Sequence, residues 1–141
     1  MLNDLDLRFH HLGVACPDLD REREEWARLG YRAEGEVFSD PIQKVRGAFV
    51  VGPGPRLELL SPLGEGSPVA GVIERGGKLY HQGFESLDFD GSLAALQTRR
   101  FRLIQGPVPA VAFGGRRIAF LMSPSLNLIE LIEAGHGAVA T

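Results

Sequence analysis

The segment His11–Asp20 reads HLGVACPDLD, and seventy residues later His81–Asp90 reads HQGFESLDFD. Both follow the pattern H-x-G-x-x-x-x-D-x-D. If the agreement marks a duplication, other segments should agree at nearly the same offset. Three do, in order. GYR (Gly30–Arg32) meets RFR (Arg100–Arg102), AFVV (Ala48–Val51) meets AFLM (Ala119–Met122), and LELL (Leu57–Leu60) meets IELI (Ile129–Ile132). The offsets run 70, 70, 71 and 72, so the chain reads as two tandem copies.

Each copy also spells the same series of elements. RFHHLGVAC predicts a strand, Asp18 a helix cap, and LDREREEWARL a helix with Leu19, Trp26 and Leu29 on its apolar stripe until Gly30 stops it. YRAEGEVF, VRGAFVV and RLELLS follow as strands, the last two joined by the turn GPGP. The second copy repeats the order: strand KLYHQGFESL, helix SLAALQTRR, then strands FRLIQ, RRIAFLMS and LNLIELIE. Each is a βαβββ module, at residues 8–62 and 78–133, and Ser67, Pro68 and Gly76 mark a linker helix over 67–76. GPVPAVAFGG (Gly106–Gly115) predicts an irregular loop, and the tail AGHGAVAT a frayed end.

Bulk properties narrow the function classes. With 141 residues and 44% hydrophobic content, a single α+β domain spanning residues 1–141 can bury its own core without disulfides. A net charge of −3 argues against nucleic acid as the main partner. The lone Cys16 forms no internal disulfide, and neither a signal-peptide core nor a membrane-length apolar run is found, so a soluble cytoplasmic protein is expected.

The costly residues fall at matched places. Glu58 and Glu130 interrupt apolar strands, and an uncompensated buried carboxylate costs several kcal/mol. Taken singly, each can be a solvent-facing strand residue, and each of His11 and His81 an ordinary surface or core histidine. Duplication changes that weighing. If the copies pack about a pseudo-twofold axis, His11, Glu58, His81 and Glu130 meet as two imidazoles and two carboxylates. Such a set suits octahedral Zn, Ni, Co, Fe or Mn with two positions left for water or substrate.

These residues and segments resemble the vicinal oxygen chelate superfamily, which includes glyoxalase I, methylmalonyl-CoA epimerase, extradiol dioxygenases and the metal-free bleomycin-resistance proteins. The resemblance covers about residues 9–133. It implies paired βαβββ modules whose curved, barrel-like mixed sheet forms a cup around a divalent metal, with His11, Glu58, His81 and Glu130 as ligands. HLGVACPDLD, RLELLSPLGEGSPVAGVIERGG, GGRRIAFLMSP and NLIELIE look most like small glyoxalase I and methylmalonyl-CoA epimerase proteins. One departure stands out. The epimerases carry a second carboxylate just before the third strand, where SDPIQKVRGAFV places Ile42, with Asp40 the nearest acid and Gln43 the nearest polar group.

The resemblance therefore implies, first, a metal-dependent lyase or isomerase of the glyoxalase I type. It moves a proton beside a metal-chelated carbonyl through an enediolate, with Glu130 as the base and Glu58 as second choice. Its substrate would be a glutathione hemithioacetal. The alternative is an acyl-CoA epimerase acting on a thioester, and a reading of another class is a metal-free small-molecule binder. Gln43, Phe113 and Arg117 are the candidate substrate contacts, although Gln43 reads equally as a turn residue and Arg117 as surface charge. By strand alternation His10 should face away from His11. A homodimer is the family expectation, with the centre formed within one chain or across the dimer.

Overall fold

The computed structural model describes residues 5–135, and the tail residues 136–141 lie outside the described part. The chain divides into two compact units, His11–Tyr80 and the segment up to His10 joined to His81 onward. Both are built from the βαβββ series read in the sequence, and the fold class is α+β.

In the first unit, β1 (Arg8–Ala15, from His11), α1 (Leu19–Ala27), β2 (Arg32–Asp40), β3 (Val45–Val51) and β4 (Leu57–Pro62) form a sheet in the order β2-β3-β4-β1. The β1–β4 pair is parallel and the others are antiparallel, so α1 is a crossover and the remaining links are hairpins. Asp18 caps α1, its side chain accepting from Arg21 N–H. One sheet face packs Val14, Leu57, Leu59, Ala48 and Val50 with Leu19 and the partly buried Trp26 of α1. Glu22 of α1 is buried, receiving hydrogen bonds from Trp26 Nε1 and Lys78 Nζ. Leu29 leaves the expected apolar stripe: it lies past the end of α1 and is exposed. The linker helix α2 (Pro68–Glu74), capped by Ser67, sets Val69 against Ala15, Val45 and Leu60 on the other face.

The second unit repeats the plan with β5 (Leu79–Ser86, from His81), α3 (Phe89–Thr98), β6 (Arg102–Pro109), β7 (Arg117–Met122) and β8 (Leu128–Glu133), ordered β5-β8-β7-β6. Asp88 caps α3 as Asp18 caps α1, accepting from Gly91 N–H, and this starts the helix three residues ahead of the expected SLAALQTRR. Phe89 and Leu96 of α3 pack on Ala119, Leu121 and Leu131, and Leu5 and Leu7 join them. Asp6 holds that N-terminal segment in place: its carboxylate accepts from Ser86 Oγ, Ser92 Oγ, Leu87 N–H and Asp88 N–H.

The segment expected as a loop over 106–115 is partly strand. β6 runs on to Pro109, and only Val111–Phe113 forms a short 3₁₀ turn. The physical reason is position. β6 is the last strand of its order, where a proline lacking N–H costs no ladder bond on the open side. Register shifts between Leu103 and Gln105 and between Gln105 and Val108 absorb the irregularity. No described helix is long and apolar enough to cross a membrane.

Candidate metal centre

Each unit carries a histidine and a glutamate in contact on one sheet face. In the first unit Glu58 is the parallel partner of Gly13, two residues beyond His11, so alternation puts His11 and Glu58 on the same face. His11 Nε2 lies 3.0 Å from Glu58 Oε1. In the second unit Glu130 partners Gly83, two residues beyond His81, and His81 Nε2 lies 3.1 Å from Glu130 Oε1. All four side chains are buried: His11 is 0% and His81 2% exposed, Glu58 4% and Glu130 3%. Taking a carboxylate this far out of water is costly without a cationic or hydrogen-bonding partner. Glu130 Oε1 accepts no hydrogen bond although it is buried beside His81 Nε2, and imidazole nitrogens and carboxylate oxygens are atoms that can bind a metal ion.

The two pairs share a further element. Phe49 is the antiparallel partner of Glu58, and Phe120 that of Glu130. Both rings meet their module's histidine edge to face: His11–Phe49 centroids are 5.5 Å apart at 78°, and His81–Phe120 centroids 5.2 Å apart at 81°. The sequence aligned Phe49 with Phe120 in AFVV and AFLM, where they read only as strand residues. That alignment was the available signal for their matched contacts.

The expected substrate contacts lie elsewhere or in the turn. Arg117 precedes Ile118, whose antiparallel partner is Ile132, and Phe120 partners Glu130, so Arg117 points to the opposite face. There its guanidinium lies over the Phe89 ring and binds Asp90 and Glu133. Hydrogen bonds from Arg117 hold the Asp90 and Glu133 carboxyls below their ordinary pKa values, and those carboxylates raise that of Arg117. Arg116 binds Glu85 and the Glu133 carbonyl. Phe113 is 5% exposed, with its ring against His10 at 5.3 Å and the Arg116 guanidinium over it.

Gln43 is buried in the β2–β3 turn, and its Nε2 has no hydrogen-bond partner. Asp40, also buried, holds the turn: its Oδ1 accepts from the N–H groups of Ile42 and Gln43. Ile42 itself is half exposed. Cys16 is sealed in the first core with its Sγ at Leu60 O, and burial together with the Glu22 charge pushes its thiol up to about 11.

With this geometry in view, residues 10–120 match the family model of the Glyoxalase/Bleomycin resistance protein/Dioxygenase superfamily. The chain belongs to that superfamily. Among this superfamily member's relatives is an ethylmalonyl-CoA/methylmalonyl-CoA epimerase of Cereibacter sphaeroides, 30% identical over 88% of this chain and 96% of the relative. Among solved structures, the methylmalonyl-CoA epimerase of Mycobacterium tuberculosis superposes with a TM-score of 0.82 at 26% identity, covering 100% of this chain and 97% of that one. A methylmalonyl-CoA epimerase in complex with methylmalonyl-CoA and NH4+ gives a TM-score of 0.77 at 28% identity over 94% and 97% of the two chains. The α+β fold of two βαβββ modules is thus the fold of this superfamily. The named relatives are epimerases, which shifts weight from the glyoxalase I reading of the sequence to its acyl-CoA alternative.

Proposed function

We propose that this chain is a divalent-metal-dependent isomerase that moves the proton on the carbon next to an acyl-CoA thioester carbonyl. The matched His11–Glu58 and His81–Glu130 contacts carry this reading, because each module has placed the same two donor types in the same buried register. The epimerase names of the relatives support the substrate class. Together the four residues would hold one ion, and two imidazoles with two carboxylates fit Zn, Ni, Co, Fe or Mn. When bound, such an ion supplies a Lewis acid that stabilises negative charge developing on a substrate oxygen.

The remaining chemistry falls to the chain. Glu130 takes the α-proton as a carboxylate, becomes the carboxylic acid and hands the proton back. Its neighbour His81 keeps the carboxylate oriented, and Glu58 supplies the second negative donor on the other module. The β2–β3 turn offers no second acid in the epimerases' place: Ile42 stands there, and Asp40 Oδ1 is engaged by two backbone N–H groups. Exchange of the α-proton needs only Glu130, whereas inversion at carbon needs a proton delivered to the opposite face as well.

That same turn favours a second reading, the glyoxalase I type lyase, in which one carboxylate takes a proton from a hemithioacetal and returns it to the neighbouring carbon. One experiment separates the two. The metal-reconstituted protein is given methylmalonyl-CoA in D2O and, separately, methylglyoxal with glutathione. Deuterium entering the α-carbon without thioester formation from glutathione supports the acyl-CoA reading. Thioester formation without exchange supports the lyase, and neither reaction with any of the five metals defeats both.

A further inference from the structure

The phenylalanines that back the two histidines repeat in type, in register and in the geometry of their ring contacts. On the helix-packed face the strands keep Ala48 as Ala119 and Leu59 as Leu131, while the helices diverge: α1 brings Leu19 and Trp26 to its sheet, whereas α3 brings Phe89 and Leu96. On the opposite face the triads His11–Glu58–Phe49 and His81–Glu130–Phe120 share residue types, strand register, ring separations and ring angles. What sets the phenylalanines apart from the retained core residues is that each ring meets a histidine edge to face. An imidazole that binds a metal must present Nε2 along one direction, and whatever packs on its ring controls rotation about the Cβ–Cγ bond. A phenylalanine met at nearly a right angle leaves the imidazole one favoured plane, whereas an aliphatic side chain tolerates many.

We propose that Phe49 and Phe120 are positioning residues that fix the imidazole planes of His11 and His81 for metal binding. The inference rests on the metal-binding reading above. Phe49 is the more informative position, because it is only partly buried and has Phe38 beside it at 6.1 Å, so a smaller side chain there disturbs the core least.

The test is a titration of the metal-free protein with Co2+, read by affinity and by the visible d–d absorption that reports ligand arrangement. Phe49→Leu and Phe120→Leu should each weaken Co2+ binding about tenfold and alter the absorption band. Phe49→Tyr, which keeps the ring, should bind within about twofold of the wild type. Phe89→Leu removes a core ring from the opposite sheet face and should lower thermal stability with affinity and spectrum unchanged. Wild-type affinity and spectrum in both leucine variants would overturn the proposal, as would equal weakening by Phe89→Leu. If Phe120→Leu does not fold, Phe49→Leu decides. A wild type that binds no Co2+ removes the metal reading as well, whereas a wild type that binds, with variants that match it, removes only the positioning role.

Discussion

His11 Nε2 and Glu58 Oε1 lie 3.0 Å apart, brought together because β1 and β4 are parallel neighbours with Gly13 across from Glu58. The parallel pairing is itself a product of the βαβββ order, since the α1 crossover sets β2 running in the direction of β1 and two hairpins then bring β4 beside β1 in that same direction. Duplication then delivers the same contact a second time between His81 and Glu130.

Replacing the base while keeping its shape tests the chemistry. Glu130→Gln should lower α-proton exchange by about 10²–10⁴-fold, because an amide accepts no proton at neutral pH. Circular dichroism should show the fold retained. Exchange at the wild-type rate in the metal-loaded variant would exclude Glu130 as the base.

The half-exposed Ile42 offers a gain-of-function test. Ile42→Glu installs an acid in the turn fixed by Asp40 and should raise the ratio of inversion to exchange on methylmalonyl-CoA about tenfold or more. Chiral analysis of product alongside deuterium content measures the ratio. No change would mean that the turn does not face the substrate.

Asp6 sets an acid limit on stability. Burial opposes its ionisation, but hydrogen bonds from Ser86, Ser92 and the N–H groups of Leu87 and Asp88 outweigh it and hold the pKa below the usual value of about 3.9. A lowered folded-state pKa means that its contribution is complete above that usual value and is lost as pH falls through the folded one. Asp6→Asn should cost on the order of 1 kcal/mol at neutral pH, discounted for solvent exposure, and flatten the loss below about pH 4. Thermal melts across pH 2–7, about the range in which carboxylates titrate, measure both.

Cys16 should be chemically silent in the folded protein. With its thiol pushed up to about 11 and its side chain buried, the thiolate is about a thousandth of the total at pH 8. Iodoacetamide should label it only after unfolding, and rapid labelling of the native protein would show that the first core opens readily.

Much of this was legible because duplication doubles each signal. Asp18 was readable as a cap, Glu58 and Glu130 stood out as charges within apolar strands, and the repeat singled out His11 and His81. The extension of β6 through Pro107 and Pro109 was not, since Pro/Gly composition marks a loop unless the strand is known to be an edge. Arg117 was misleading for a similar reason: alternation limits adjacent arginines to one per face but does not say which face, and the structure sends Arg117 to Asp90 and Glu133. Phe49 and Phe120 escaped because a strand phenylalanine in a duplicated run reads as core until its ring is seen against a histidine.

If both modules hold one ion jointly, as proposed, metal stoichiometry after reconstitution and removal of free metal reports it. The wild type should retain one equivalent per chain, and either double variant, His11→Ala with Glu58→Ala or His81→Ala with Glu130→Ala, essentially none. Two equivalents per chain, or a wild-type equivalent retained when one pair is removed, would contradict it.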